Sequence, residues 1–129
     1  VERRGRWLVA AVVAAALGAS CRTRRPPPTV AAQLELAAAA LSSGRFDEAA
    51  DRIRVVRQQA PRDPDAAAWS SVIAEMSWRD DDAVREMGAA VRAAMAAGLP
   101  ADEVAELRGR LGDLLFQAGR WEEAAAALQ

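Results

Sequence analysis

One six-residue pattern occurs twice in this chain and constrains its fold more than any other feature. The copies are GRFDEA at residues 44–49 and GRWEEA at residues 119–124. Each lies between two Ala-rich stretches with helical spacing. Glycine supplies the left-handed backbone that ends a helix, the acids favour the next helix N-terminus, and alanine permits close helix approach. The pattern predicts a helical hairpin at each copy, with Phe46 and Trp121 wedged between the helices.

The remaining chain also has helical spacing, and no segment favours a strand. Asp63-Pro64 is a helix start, because an N-cap acceptor precedes a proline at the first helical position. Gly98 ends a helix before Pro100 starts the next. The predicted fold class is therefore all-α, with six helices. Their expected bounds are about Val30–Ser43, Phe46–Gln59, Pro64–Trp78, Asp80–Ala97, Pro100–Ala118 and from Trp121 onward.

The apolar positions of these helices predict a core. If Trp121 is buried there, Trp121→Ala should cost several kcal/mol, roughly the 3–5 kcal/mol of large-to-small core changes. The expected core residues are Leu36, Phe46, Ala49, Ile53, Val56, Ile73, Ala83, Met87, Val91, Leu107, Leu111, Leu114, Trp121 and Leu128.

Aligned on the two hexads, the chain resembles tetratricopeptide repeats, which are helix pairs of about 34 residues. In the first pair, residues 30–63, Gly44 falls at the turn, Phe46 at the aromatic position, Ala49 at the small position and Pro61 at the closing proline. The resemblance implies an α-solenoid of antiparallel helix-turn-helix repeats. The alternative is a generic Ala-rich antiparallel bundle.

The third pair is expected to begin near Ala105, and Gly119, Trp121 and Ala124 repeat the turn of the first. In the middle pair, residues 64–104, Trp78 and Ala83 are recognisable, but the turn glycine is missing. The two hexads are 75 residues apart, which is seven more than two repeats of 34 residues. Seven residues are about two helical turns, so helices lengthened by that amount would keep their apolar faces in phase. The array is predicted to hold two and a half to three repeats, the last incomplete. A solenoid needs a cap over its last apolar face, so we expect that more chain follows, that a partner covers the end, or that the end is frayed.

Residues 1–20 have the composition of a signal peptide. Three arginines precede an uncharged apolar run over residues 7–20. As a helix this run spans about 21 Å, which is short for a bilayer core of about 30 Å. A basic segment followed by a short apolar run is typical of an export signal. We therefore predict a signal peptide over residues 1–20.

Cys21, the only cysteine, follows small residues at the end of that run. This arrangement resembles a bacterial lipoprotein signal, which implies lipidation of Cys21, although Leu17 lies one position further from the cysteine than is usual. A plain membrane anchor, a cleaved signal and an imprecise chain start are the alternatives. Residues 21–29 are predicted to be a Pro- and Arg-rich tether. Because Arg22 stands where inner-membrane retention uses Asp, the outer membrane is favoured.

Charge and composition exclude several function classes. Residues 30–129 carry 11 Arg and 17 acids, so a nucleic-acid partner is not expected. The absence of histidine excludes a Ser-His-Asp triad and a His-bound metal. The serines, Ser71 among them, are expected to cap helices or face solvent. We predict neither an enzyme nor a cofactor or metal, and interpret Asp80, Asp81 and Asp82 as complements to a helix dipole.

Recognition of a protein or peptide partner remains. The resemblance implies that the first helix of each pair lines a concave groove; each position could equally be packing between repeats. The leading hypothesis is a lipid-anchored periplasmic scaffold for envelope assembly or secretion. The alternatives are a membrane-anchored adaptor facing the cytoplasm, or a recruiting module of a larger protein that continues past Gln129. The implied groove residues are Leu34, Ala38, Leu41, Ala68, Trp69, Val72, Glu75, Met76, Asp113, Phe116 and Gln117.

Overall fold

The computed structural model describes residues 29–129; the predicted signal, Cys21 and most of the predicted tether lie outside this range. Six α-helices make up 80% of the described residues, and no strand occurs among them, so the all-α prediction is confirmed. The helices are α1 Val30–Ser42, α2 Phe46–Gln59, α3 Pro64–Met76, α4 Asp80–Ala96, α5 Ala101–Gln117 and α6 Trp121–Ala127.

The chain divides into two compact units, with the boundary between Pro61 and Arg62. In the first unit, α1 packs against α2. In the second, α3 packs against α4, α4 against α5 and α5 against α6. Three-residue turns follow α1, α3 and α5, so the helices they join run antiparallel.

The predicted helix starts and stops agree with the structure to within about two residues. The Asp63 carboxylate accepts hydrogen bonds from the backbone N–H groups of Asp65 at 2.8 Å and Ala66 at 3.1 Å, which caps α3. The fifth helix, expected from Pro100, starts at Ala101, directly after the proline. The expected start of the third repeat, near Ala105, falls inside this helix.

Both hexads form the same helix-ending turn. Gly44 has φ +71° and Gly119 has φ +72°, the left-handed conformation that glycine adopts without steric penalty. After α1, the N–H of Gly44 donates to the carbonyl of Leu41 and the N–H of Arg45 to that of Ala40. This pair of bonds is a Schellman motif, and it satisfies two carbonyls that the helix end leaves free.

The three-residue turn after α3 is a third copy of this turn, although it has no glycine. Trp78 has φ +58° and occupies the position of the turn glycine. Its N–H donates to the carbonyl of Glu75 and that of Arg79 to Ala74, at 3.0 and 2.9 Å, as in the other two turns. The middle hexad is therefore WRDDDA, at positions 78–83.

The third copy shows where the additional residues between the first and last hexads lie. The step from Gly44 to Trp78 is 34 residues and the step from Trp78 to Gly119 is 41 residues, which is longer by about two helical turns. Helices α4 and α5 have 17 residues each, against 14 in α2 and 13 in α3. The additional length is thus three residues in one helix and four in the next, the spacings that return a side chain to the same helix face.

Most of the predicted core is buried. Leu36 and Leu111 are half-buried. The confirmed members, all 8% exposed or less, are Ala49, Ile53, Val56, Ile73, Ala83, Met87, Val91, Leu107 and Leu114.

Three predicted core residues are exposed. Phe46 is 37% exposed, Trp121 68% and Leu128 64%. Trp121 begins α6, a helix of seven residues that packs against α5 and leaves the indole in solvent. The expectation that Trp121→Ala costs several kcal/mol is therefore wrong, since that magnitude requires a buried side chain.

Small residues mark the close approach of the paired helices. Ala37, Ser71 and Gly112, which occupy equivalent places in α1, α3 and α5, are all buried. The Ser71 hydroxyl donates to the carbonyl of Ala83 at 2.7 Å, which ties α3 to α4. The expectation that Ser71 caps a helix or faces solvent is therefore wrong.

Candidate functional site

The predicted groove residues of the first unit are not accessible. Leu34, Ala38 and Leu41 on α1 are only 5%, 3% and 6% exposed. Helical spacing places them on one face, but it does not show whether that face is covered. In this structure their side chains belong to the packed interior of the protein.

The second unit presents a partly open face. On α3, Ala68 and Trp69 are buried, Val72 and Glu75 are half-buried, and Met76 at the helix end is 45% exposed. The exposed positions therefore concentrate at the C-terminal end of α3.

The predicted residues of α5 are all solvent-accessible. Phe116 is 67% exposed, and Asp113 and Gln117 are also exposed. Phenylalanine is enriched in protein interfaces relative to the rest of the protein surface. Phe116 is the largest exposed apolar side chain among the predicted groove residues.

An ion pair that the sequence analysis missed connects the two helices. The Arg110 guanidinium donates to the Glu75 carboxylate at 3.1 Å, and the two side chains are 41% and 34% exposed. This contact links α3 directly to α5. Because the two residues are far apart in the chain and share no local motif, the sequence gives no signal that they meet.

The hinge residues form a set of matching turns. The small residues Ala49, Ala83 and Ala124 are buried. In each turn the arginine pairs with the acid three residues later: Arg45 with Glu48, Arg79 with Asp82 and Arg120 with Glu123, at 2.5, 3.2 and 2.7 Å. No side chain caps α2, α4 or α6, so first-turn acids supply the negative charge that a helix N-terminus favours.

In the last turn, the ion pair between Arg120 and Glu123 shifts the pKa of both residues. Two hydrogen bonds join Arg120 to Glu123, from Nε to Oε1 at 2.8 Å and from Nη2 to Oε2 at 2.7 Å. The hydrogen bond to Arg120 lowers the pKa of Glu123. The same hydrogen bond raises the pKa of Arg120, and the charges of Glu123 and Asp81 raise it further against the opposing effect of desolvation.

Within residues 29–129, no cluster of three or more acids, histidines or cysteines is arranged to hold a metal ion. No helix in that range combines the length and the apolar character needed to cross a bilayer. No protein-family model, curated protein or solved structure matches the chain.

Proposed function

We propose that this chain is a lipid-anchored periplasmic scaffold whose tetratricopeptide-like helix pairs bind a protein or peptide partner. The three matching turns carry the proposal, because they repeat one helix hairpin at Gly44, Trp78 and Gly119. Arrays of helix hairpins use their extended surfaces for binding.

The α3–α5 face of the second unit is the best-supported contact region. Met76 and Phe116 supply exposed apolar area, and the partly exposed Glu75–Arg110 pair supplies polar groups beside it. Interfaces commonly combine an aromatic anchor with a polar rim that orients the partner. We expect Phe116 to contribute more to binding than the buried residues of α1.

Site-specific photocrosslinking tests this assignment. A benzophenone amino acid replaces Phe116 in the full chain, expressed in its own host, and covalent adducts are detected after illumination. Met95, which is 53% exposed near the C-terminus of α4, is the matched control. We expect a discrete adduct from position 116 alone, and equal labelling from both positions would contradict a specific contact face.

The lipid anchor is tested separately. Cys21 lies outside the described residues, so its part in the proposal rests on the sequence pattern. Radiolabelled palmitate should enter the wild-type chain and not Cys21→Ser. Incorporation that survives the substitution would exclude Cys21 as the lipidated residue.

Protease added to spheroplasts distinguishes the orientations of the helical region. A periplasmic chain is degraded from outside, whereas a membrane-anchored adaptor that faces the cytoplasm is protected until the cells are lysed. Protection before lysis would replace the periplasmic proposal with the adaptor.

A further inference from the structure

Two turns of the second unit lie at the same end of that unit. Successive antiparallel helices place the turn after α3 and the turn after α5 on one side. The Glu75–Arg110 ion pair, at 3.1 Å, also links α3 directly to α5. Side chains that project from the two turns therefore lie at one end of the unit.

An indole projects from each turn. Trp78 is 90% exposed and Trp121 is 68% exposed. Trp78 holds its exposed position despite a left-handed backbone that a bulky residue rarely adopts. Such an exposed pair of tryptophans adds nothing to the core and offers two flat aromatic faces to a ligand.

Carboxylates without ion-pair partners flank these indoles. Arg79 pairs with Asp82, and Arg120 pairs with Glu123, so both turn arginines are occupied. Across residues 29–129, no salt bridge is formed by Asp80, Asp81 or Glu122. We name the surface formed by Trp78, Asp80, Asp81, Trp121 and Glu122 the turn-end patch.

We propose that the turn-end patch binds arginine side chains of a partner protein segment. A guanidinium stacks on an indole face and gains from its quadrupole, while neighbouring carboxylates neutralise the charge. Lysine offers a compact, strongly hydrated charge that stacks less well. All 17 basic residues of this chain are arginine, so partners of similar composition would present that cation. The turn-end patch shares no residue with the α3–α5 face and requires no lipid anchor.

The test uses fluorescein-labelled octa-arginine and octa-lysine as probes, titrated with the full chain and followed by fluorescence anisotropy. We expect the wild-type chain to bind octa-arginine about fivefold or more tightly than octa-lysine. In Trp78→Gly/Trp121→Ala the arginine affinity should fall by roughly two- to fivefold per indole, the range for exposed cation–π contacts, while the lysine affinity changes less than twofold.

Two controls separate the patch from general charge attraction. Met95→Ala removes an exposed apolar side chain elsewhere in the unit and should leave both affinities unchanged. Asp80→Asn/Asp81→Asn/Glu122→Gln should weaken both probes. The double tryptophan variant keeps every charge and substitutes two exposed side chains, so its far-UV circular dichroism should match the wild type. Equal wild-type affinity for the two probes, or an equal loss of both in the double tryptophan variant, would overturn the proposal.

Discussion

Trp78 occupies a turn position whose left-handed backbone favours glycine. The turns after α1 and α5 use glycine at φ near +70°, and the turn after α3 holds a tryptophan at +58°. A side chain with a β-carbon pays about 1–2 kcal/mol in the left-handed region. Its 90% exposure means that burial does not offset this penalty.

Opposite substitutions at two equivalent turns should therefore change stability in opposite directions. Trp78→Gly removes the backbone strain, offset by roughly 0.5–1 kcal/mol of added glycine flexibility in the unfolded chain, so we expect a net gain of about 0.5–1 kcal/mol. Gly119→Ala should lose about 1 kcal/mol. A β-carbon at Gly119 meets no atom within 4 Å, so that loss would come from the backbone alone. Urea unfolding measures both, and a destabilised Trp78→Gly would contradict the strain argument.

Glu123 provides a prediction on protonation. The hydrogen bond to Arg120 lowers its pKa below the ordinary glutamate value. A lowered folded-state pKa stabilises the fold above the unfolded pKa, and this contribution is lost as the pH falls through the folded pKa. Arg120→Gln should return the Glu123 pKa toward its ordinary value, measured by NMR titration of the side-chain carboxyl carbon. An unchanged titration curve would show that Arg120 is not the cause.

At the scale of the elements, helix length and helix ends follow closely from the sequence. Proline, glycine and acidic first turns mark most boundaries, and the seven additional residues divide between α4 and α5 so that the apolar faces stay in phase. The sequence did not show which faces are covered. Leu34 and Phe116 were both predicted to line a groove, yet one is 5% and the other 67% exposed. Periodicity identifies a face, whereas burial depends on the elements that lie against it.

The contact between α5 and α6 can be tested with two glycines of one helix. A β-carbon at Gly109 meets nothing within 4 Å, whereas one at Gly112 would lie 3.0 Å from the Leu128 side chain. Gly109→Ala should stabilise the unit by about 1 kcal/mol through helix propensity. Gly112→Ala should gain less, because Leu128 must move.

A double-mutant cycle completes this test. In the Leu128→Ala background, Gly112→Ala should recover the gain seen at Gly109, because the obstructing side chain is gone. Thermal unfolding provides the measurement for all four variants. Equal gains at the two glycines in the wild-type background would show that Leu128 does not pack over α5.

At the scale of the whole molecule, the boundary after Pro61 separates two compact units. Arg62 is exposed and lies in the turn between α2 and α3. We expect the first tryptic cut within residues 29–129 after Arg62, because exposed loop backbone enters a protease site most readily. The arginines of the helix hairpins lie in ordered turns and pair with acids. Timed digestion with mass spectrometry should detect the fragment that starts at Asp63, and earlier cuts at those turns would contradict this order.

Within residues 29–129, tryptophan occurs only in the second unit, so tryptophan fluorescence can distinguish the two units. Trp69, Trp78 and Trp121 all lie after Arg62, and residues 29–61 contain no tryptophan. With Trp7→Phe, indole emission would report on the second unit alone, whereas far-UV ellipticity would report on all six helices. Trp69, 8% exposed, should emit at shorter wavelength than Trp78 and Trp121. The short-wavelength emission of one unlabelled sample thus reports on the interior, and the long-wavelength emission reports on the turns. Comparing fluorescence with far-UV ellipticity during melting shows whether α1 and α2 unfold together with the second unit.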